Sequence, residues 1–332
     1  MNLSRHIAAA GGWISMETFM ELALYGEAEG YYSASIHEIG ARGDFSTSAT
    51  LSPLLARRIV AHWKEACERA GKKLPMIEVG GGNGNLAAAI GRELGFWGRL
   101  GARYYMVDRA RNLRHLQLLN VGNFARVYET MERALKQAQG EAFIFSNELP
   151  DAFPARRFVF RQGSWLELGL SVEGGRYIEA ARPCSVLPES AALERWAVEG
   201  QIVEVQELYA SWYRSWQPLW KQGVCMTIDY GDENATLYDR RPNGTLRGYR
   251  SHKMLAPDEL YASAGRCDIT CDVNFTDLRR LAESCIGDTA ELITQREYLL
   301  PSADSASAAD AWLVSEPGPG DHFRVLIQER FS

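Results

Sequence analysis

The chain has 332 residues, of which 46% are hydrophobic and 23% are charged, a balance typical of a soluble globular protein. Its length suffices for one large domain or two ordinary ones. A formal net charge of −6 at pH 7 argues against a nucleic-acid-binding protein with a broad basic face. Apolar runs long enough for a signal peptide or a membrane span are absent from the sequence, so we expect a cytoplasmic protein without a nucleic-acid or membrane partner.

The six cysteines are scattered and include no CxxC pair. Cys267 and Cys271 are spaced as CxxxC, but no histidine-rich segment accompanies them. Zinc sites generally need closer and more numerous ligands. We therefore expect reduced thiols and no metal site.

The first 71 residues indicate two helices separated by a long loop. Residues Ile14–Gly26 have apolar residues at helical spacing after Ser15, a typical N-cap. Residues Gly30–Pro53 are rich in Gly, Ser and Thr, and ordered loops of this length are usually functional. Residues Leu51–Gly71 form an amphipathic pattern, with Pro53 at the first helical position.

Strands and helices then alternate along the chain. The predicted strands are Met76–Val79, Arg103–Asp108, Ala142–Glu148 and Val224–Gly231, and the predicted helices are Asn85–Leu94, Asn112–Asn120 and Met131–Gln139. This order predicts an α/β fold in which helices cover both faces of an open, mostly parallel sheet. Ligands of such sheets bind at the carboxyl ends of the strands.

A different pattern occupies the segment from Phe158 to Gly223. Alternating apolar and polar residues around Gly163 and around Gly174 and Gly175 predict antiparallel hairpins. Residues Tyr209–Trp220 carry three tryptophans and two tyrosines at helical spacing. They form either an aromatic binding wall or a helix packed into the core. We interpret the whole segment as an insertion that covers the strand ends.

The stretch "EVGGGNGN" is the strongest functional signal. Gly80, Gly82 and Gly84 follow the first strand and open a helix, where a ligand can approach the backbone closely. The dinucleotide spacing G-x-G-x-x-G fails in both registers, and the lysine of a P-loop is missing. With Glu78 the pattern is acid-x-G-x-G-x-G, the signature of S-adenosylmethionine enzymes, in which a carboxylate suits the cationic ligand. Asp108 ends the second strand, where an acid can accept both ribose hydroxyls.

Polar residues also follow the third strand, in "SNELPDAFP". Asn147, Glu148 and Asp151 lie where the methionine end of the cofactor and its methyl group are expected. Acids there can hold an amine or guanidinium and accept its proton. The alternative is that Asn147 and Asp151 cap the next segment.

Asp229 ends a further strand in "IDYG" and is a second candidate for the acceptor side. Its alternative is a buried acid paired with Arg247 or Arg250. His252 in "GTLRGYRSHK" is a candidate base, although a lone histidine is more often structural.

With these motifs the sequence resembles the MidA-like family of S-adenosylmethionine-dependent methyltransferases, whose mitochondrial members assist assembly of respiratory complex I. The matching stretches are "ISMETFM", "GYYS", "RGDFSTS", "EVGGGNG", "VDRARNLRHLQ", "NELPD", "GSWLEL", "VEV", "IDYG", "GTLRGYRSHK", "DITCDVNFTDLRRLA" and "EPGPGDHFRVL". The resemblance implies a seven-stranded class I methyltransferase domain with S-adenosyl-L-methionine as cofactor. It places the cofactor against Gly80, Gly82, Gly84, Asp108, Asn147 and Glu148, under an N-terminal loop that contains Asp44, Thr47 and Ser48.

The resemblance also implies a domain organisation and a substrate. We expect N-terminal helices and a cofactor-covering loop in 1–73, the methyltransferase core in 74–157 and 223–332, and the insertion in 158–222. Catalysis is expected from Glu148, Asp151 and Asp229. The mitochondrial branch methylates a protein arginine, so the expected partner is a protein that presents an arginine, and a homodimer stays open.

Several positions depart from the family pattern. Gly81 and Asn83 replace a proline and an arginine in the glycine turn, Thr50 replaces an acid, and "NEFFDALP" becomes "NELPDAFP". These changes leave two other functions open. One is an assembly or interaction protein that keeps the fold but transfers methyl groups weakly. The other is a small-molecule methyltransferase.

Overall fold

A computed structural model describes residues 2–35, 53–250, 253–286 and 290–331. The chain forms two compact units. The hairpin unit comprises Met1–His37, Pro150–Trp212 and Gly231–Leu278, and the sheet unit comprises Glu38–Leu149, Tyr213–Tyr230 and Arg279–Ser332. The domain boundaries expected from the sequence stay a prediction.

The described residues form the following strands and α-helices, numbered in chain order. The strands are β1 (Ile14–Ser15), β2 (Met76–Val79), β3 (Tyr104–Val107), β4 (Ala125–Tyr128), β5 (Glu141–Asn147), β6 (Arg156–Arg161), β7 (Ser164–Glu173), β8 (Arg176–Pro183), β9 (Ile202–Val205), β10 (Gln222–Asp232), β11 (Arg247–Arg250), β12 (Lys253–Met254), β13 (Asp268–Thr270), β14 (Val273–Asn274), β15 (Glu291–Thr294) and β16 (Phe323–Arg330). The α-helices are α1 (Leu3–Ala9), α2 (Met16–Tyr25), α3 (Leu54–Ala70), α4 (Asn85–Gly101), α5 (Arg111–Val121), α6 (Met131–Gln137), α7 (Ala191–Arg195), α8 (Glu207–Trp216), α9 (Asn234–Leu237), α10 (Pro257–Ala262), α11 (Phe275–Ile286), α12 (Gln295–Leu299) and α13 (Ala308–Leu313). Within the described residues, no helix has both the length and the hydropathy needed to cross a membrane.

The sheet unit is built on the strand order β15–β16–β10–β5–β2–β3–β4. Strands β4, β3, β2, β5 and β10 are parallel, whereas β16 runs antiparallel to β10 and β15 antiparallel to β16. The α/β fold is thus confirmed, and the sheet is mixed at one edge. Sequence analysis missed β4, because its four residues include a charged Arg126 and carry little apolar periodicity.

Helices α3 and α4 pack against this sheet through an apolar cluster. Its buried members include Leu55, Ile59 and Trp63 of α3, Ile90 of α4, and Met76, Met106, Phe143 and Phe145 of the sheet. Burying a side chain of this size contributes about 1.5–3 kcal/mol, so the cluster holds the two helices against the sheet. Helix α3 begins one residue later than expected, because Pro53 precedes it as the N-cap residue, and it ends at Gly71 with φ 65°.

Helix α4 runs past the predicted end at Leu94 and reaches Gly101. A non-helical Gly95, at φ 66° and ψ 179°, breaks it after the predicted stretch. Sequence analysis therefore identified the first part of the helix and missed the continuation beyond the break.

The aromatic segment Tyr209–Trp220 packs into the core, as the second interpretation predicted. Tyr209, Tyr213, Trp216 and Trp220 are all buried. In the sheet unit the indole of Trp220 donates to the carbonyl of Gln222 at 3.1 Å.

The hairpin unit contains a five-stranded antiparallel sheet, in which β7 pairs with β1, β6 and β8, and β6 also pairs with β9. The turns of the two predicted hairpins lie at Gly163 and at Gly174–Gly175, and both hairpins are confirmed. Helix α2 begins at the predicted cap, because Ser15 Oγ accepts a hydrogen bond from the amide of Thr18 at 3.1 Å.

Candidate cofactor and methyl-transfer site

The glycine turn after β2 requires a backbone that other residues rarely adopt. Gly80, Gly82 and Gly84 have φ angles of 67°, 53° and 89°. A Cβ atom on Gly80 would lie 2.6 Å from Leu149 Cδ1. Glycine at these positions therefore allows both the left-handed turn and the close approach of the segment after β5.

Gly81, at the position where the sequence resemblance implies a proline, is also closely surrounded. A Cβ atom there would lie 2.6 Å from Met106 Cε and 2.9 Å from Glu78 Cδ. A proline at this position would require Met106 or Glu78 to shift. Glycine at this position therefore leaves room for the side chains of Met106 and Glu78 beside the turn.

Two side chains of α5 bind carbonyl groups of this turn. Gln117 Nε2 donates to Gly82 O at 2.9 Å and to Asp108 Oδ2 at 3.2 Å, and Asn120 Nδ2 donates to Asn83 O at 2.8 Å. Sequence analysis missed both residues. The available signal was that Gln117 shares one buried face of α5 with apolar residues four positions away on either side.

The two acids at the ends of β2 and β3 are buried. Glu78 Oε2 accepts a hydrogen bond from the phenol of Tyr104 at 2.7 Å. Burial raises the pKa of Glu78 to about 8, although the Tyr104 hydrogen bond lowers it and the charge of Asp108 raises it further. The raised pKa favours the protonated form of the Glu78 carboxyl, and a cationic ligand beside it would lower the pKa again.

Asp108 is ionised over a wider pH range than Glu78. Burial raises its pKa to about 6, while hydrogen bonds from the amide of Ala110 and from Gln117 lower it. Arg114 and Arg109 also lower the pKa of Asp108 through their charge. At neutral pH this carboxylate accepts hydrogen bonds, as the predicted contact with ribose hydroxyls requires.

The turn after β5 has a strained backbone at Glu148. Its φ of 53° lies in the left-handed region, which is uncommon for a residue other than glycine. The Glu148 amide donates to Ile228 O at 2.9 Å, and Asn147 Nδ2 donates to Glu148 Oε1 at 3.0 Å. The side chain of Asn147 therefore orients a carboxylate.

Asp229 belongs to the neighbouring strand β10 and is fully buried. Because Ile228 pairs with Asn147 in parallel register, Asp229 and Glu148 follow matching positions at the carboxyl ends of adjacent strands. The amide of Tyr230 donates to Asp229 Oδ1 at 2.8 Å. Arg247, an alternative partner of Asp229 in the sequence analysis, forms an ion pair with Asp272.

Among the remaining predicted residues, only Asp151 is part of the described structure. Asp151 is buried in the hairpin unit, on the short helical turn Pro150–Ala152, where its carbonyl accepts from the amide of Cys271 at 3.0 Å. The residues that lie outside the described part of the chain are Asp44, Thr47, Ser48, Thr50 and His252. The sheet unit thus brings together Glu78, the glycine turn, Asp108, Asn147, Glu148 and Asp229.

Two buried oxygen atoms of the site need a hydrogen-bond donor. Asn147 Oδ1 and Gln117 Oε1 have no donor among the described residues. Buried acceptors are rarely left unsatisfied. The ammonium group, the ribose hydroxyls and the adenine amino group of S-adenosylmethionine are donors, so the residues present fit this cofactor.

A glycine turn after β2 of the parallel sheet, with an acid at the end of the neighbouring strand β3, is the arrangement expected of an S-adenosylmethionine-dependent methyltransferase. The model of a family described as "Putative S-adenosyl-L-methionine-dependent methyltransferase" matches residues 54–292. The chain belongs to this family, the MidA-like methyltransferases, and its cofactor is S-adenosyl-L-methionine.

Solved structures and curated relatives agree with this assignment. A Burkholderia thailandensis superfamily member bound to S-adenosyl-homocysteine is 27% identical, with a TM-score of 0.85 over 99% of this chain and 90% of that chain. A native structure of a superfamily protein from the same organism is 28% identical, with a TM-score of 0.79 and the same coverage. The mitochondrial protein arginine methyltransferase NDUFAF7 of Danio rerio is 24% identical over an alignment of 343 positions, which covers 90% of this chain and 76% of the relative.

Proposed function

We propose that this protein transfers the methyl group of S-adenosylmethionine to an arginine side chain of a protein substrate. The observation that carries the proposal is the pair of carboxylates, Glu148 and Asp229, at matching ends of the adjacent strands β5 and β10. The names of the relatives from Danio rerio and Homo sapiens, which are 24% and 22% identical to this chain, support arginine as the acceptor.

Paired carboxylates suit a guanidinium for two reasons. A guanidinium presents its N–H groups as a planar fork, and carboxylates bind such a fork with strong, charge-assisted hydrogen bonds. Glu148 is also held in a fixed orientation, because the Asn147 amide donates to its Oε1 at 3.0 Å. A fixed acceptor can align one guanidinium nitrogen for attack.

The cofactor, when bound, would supply a methyl group on its sulfonium sulfur, and S-adenosyl-homocysteine would leave as a neutral thioether as the bond from sulfur to the methyl carbon breaks. The chain's own residues then have three tasks. Asp108 accepts hydrogen bonds that orient the adenosine. The Gly80–Gly84 turn has no side chains at its glycines, so the cofactor can approach the backbone closely. Glu148 and Asp229 hold the guanidinium, and one of the two carboxylates accepts the proton that the attacking nitrogen loses as the new N–C bond forms.

The proposal is tested by incubating the purified protein with methyl-labelled cofactor and a cell lysate, and then mapping the label. We expect the label on arginine in a protein band, with transfer reduced about 100-fold in Glu148→Gln and Asp229→Asn. The matched control is Glu129→Gln, which changes an exposed glutamate of the same unit.

Two results contradict the proposal and separate its alternatives. Label in low-mass material indicates a small-molecule methyltransferase. S-adenosyl-homocysteine binding without transfer to any acceptor indicates an assembly or interaction protein that keeps the fold.

A further inference from the structure

Gln117 links the glycine turn to the acid at the end of the neighbouring strand. It lies on α5 with 0% of its surface exposed. Its Nε2 donates to Gly82 O at 2.9 Å and to Asp108 Oδ2 at 3.2 Å. A backbone carbonyl and a carboxylate can only accept, so the amide nitrogen must face them and Oε1 must face away.

The turn that Gln117 holds has a flexible sequence. Gly82 has φ 53°. Gly81 precedes it directly, and Gly84 lies two residues after it. Glycine has more backbone freedom to lose than any other residue. A side chain that fixes the Gly82 carbonyl therefore restricts this glycine-rich turn from outside.

Oε1 of the same amide has no donor among the described residues. A fully buried acceptor that stays unsatisfied is costly, whereas a ligand donor can satisfy it. The orientation of Gln117 thus leaves one acceptor beside Asp108, the predicted ribose-binding residue.

We propose that Gln117 is a positioning residue of the cofactor site, which fixes the glycine turn and Asp108 relative to each other and accepts a hydrogen bond from the adenosine portion of the cofactor through Oε1. The inference rests on the cofactor and is independent of the methyl acceptor.

The bond to Asp108 has a consequence that can be measured. It favours the ionised carboxylate, together with the Ala110 amide, while Arg114 and Arg109 act through their charge and burial opposes all of them. The buried carboxyl of Glu78, on β2, also interacts with Asp108. Removing the Gln117 donor raises the pKa of Asp108, so cofactor affinity is lost at a higher pH than in the wild type.

The experiment measures S-adenosyl-homocysteine affinity by calorimetry over a pH series. The variants are Gln117→Met and Gln117→Leu, which both remove all polar atoms of the side chain and differ in its shape. We expect affinity about tenfold weaker or more in both, from the loss of a hydrogen bond to a charged group. We also expect the pH midpoint of binding to move upward.

Asn123→Asp is the matched control, because Asn123 is exposed just beyond α5. This variant should bind S-adenosyl-homocysteine with an affinity within about twofold of the wild type.

The outcomes separate the inference from the assignment beneath it. Wild-type protein that fails to bind S-adenosyl-homocysteine contradicts the cofactor site itself. Normal wild-type binding with unchanged affinity in both variants contradicts the role of Gln117. Weaker binding with an unmoved pH midpoint contradicts the link to Asp108. The thermal midpoint of the ligand-free proteins identifies a variant that fails to fold, and the other variant then carries the test.

Discussion

Glu204 of the hairpin unit and Glu78 of the sheet unit are both buried acids, but they have different partners. In the hairpin unit, Glu204 bonds to the guanidinium of Arg157 at 3.0 Å. In the sheet unit, the strand-end acid Glu78 accepts from the neutral phenol of Tyr104. Within the described residues, neither Glu78 nor Asp108 forms a salt bridge through its side chain.

The difference separates structural charges from charges that serve a ligand. An acid paired with arginine has its charge compensated within the folded chain, so the fold depends on the intact pair and the acid has little to offer a ligand. An acid buried beside neutral donors keeps a raised pKa and gains from a ligand that supplies a cation or hydroxyl groups. Perturbed acids at the carboxyl ends of parallel strands are therefore the mark of the site.

Arg157→Met should have the largest effect on stability. The substitution leaves Glu204 buried without its guanidinium, although the amide and hydroxyl of Thr245 still donate to Glu204 Oε2 at 3.0 Å each. We expect a loss of about 3–5 kcal/mol in the free energy of unfolding, because an uncompensated buried charge remains. Urea denaturation followed by circular dichroism measures it.

The matched control for this variant is Arg133→Met. Arg133 and Glu129 form an exposed pair at 3.8 Å, and exposed pairs contribute less than about 1 kcal/mol. If the two variants lose equal stability, the charge of Glu204 does not depend on Arg157 for its compensation.

Glu78→Gln, in contrast to Arg157→Met, should gain stability relative to the wild type, and this gain should grow as pH rises. The folded pKa of Glu78 is about 8, above the value of 4.5 expected in the unfolded chain. Between these values the folded protein binds a proton that the unfolded chain has released, so wild-type stability falls as pH rises. The variant lacks the pH-dependent stability that comes from the Glu78 proton. The pH-dependent stability that comes from Asp108 is common to both proteins.

The stability of Glu78→Gln relative to the wild type should therefore increase by about 3 kcal/mol between pH 5 and pH 8, in the ligand-free state. Chemical denaturation at several pH values measures the difference. Parallel stability curves for the two proteins would show that the Glu78 carboxyl is not desolvated.

Gly80→Ala should weaken cofactor binding with a smaller effect on stability. A Cβ at φ 67° is strained and lies 2.6 Å from Leu149 Cδ1, although the end of that side chain can move. We expect a loss of about 2 kcal/mol in stability and about tenfold in S-adenosyl-homocysteine affinity. Gly163→Ala is the control, since Gly163 has φ 76° and no atom within 4 Å of the added Cβ. It should lose stability alone.

Local sequence patterns were sufficient for one part of the site. The glycine turn and Glu78 are adjacent in the chain, and strand-end acids such as Asp108 and Glu148 follow short apolar runs. The parallel order of the strands then predicts that these residues meet at one edge of the sheet. The structure places them in one unit, as this reasoning requires.

Other contacts depend on long-range packing and left no local pattern. Tyr104 reaches Glu78 across 26 positions, and Gln117 reaches Gly82 across 35. The antiparallel edge depends on β16, which pairs with β10 about a hundred residues earlier in the chain. The partners of the acids, and hence their pKa values, follow from such contacts, which is why the sequence identified Glu78 but not its protonation state.

Asn120→Ala should have the smallest effect. It distinguishes the buried contact of Gln117 with the glycine turn from the exposed contact of Asn120 with the same turn. Asn120 Nδ2 donates to Asn83 O at 2.8 Å, but Asn120 is exposed, so water can replace the lost donor. We expect less than about 1 kcal/mol in stability and a change of a few-fold in S-adenosyl-homocysteine affinity, with the pH midpoint unmoved. Calorimetry alongside Gln117→Met makes the comparison. If Asn120→Ala weakens binding as much as Gln117→Met, then tethering the turn matters by itself and the connection to Asp108 does not.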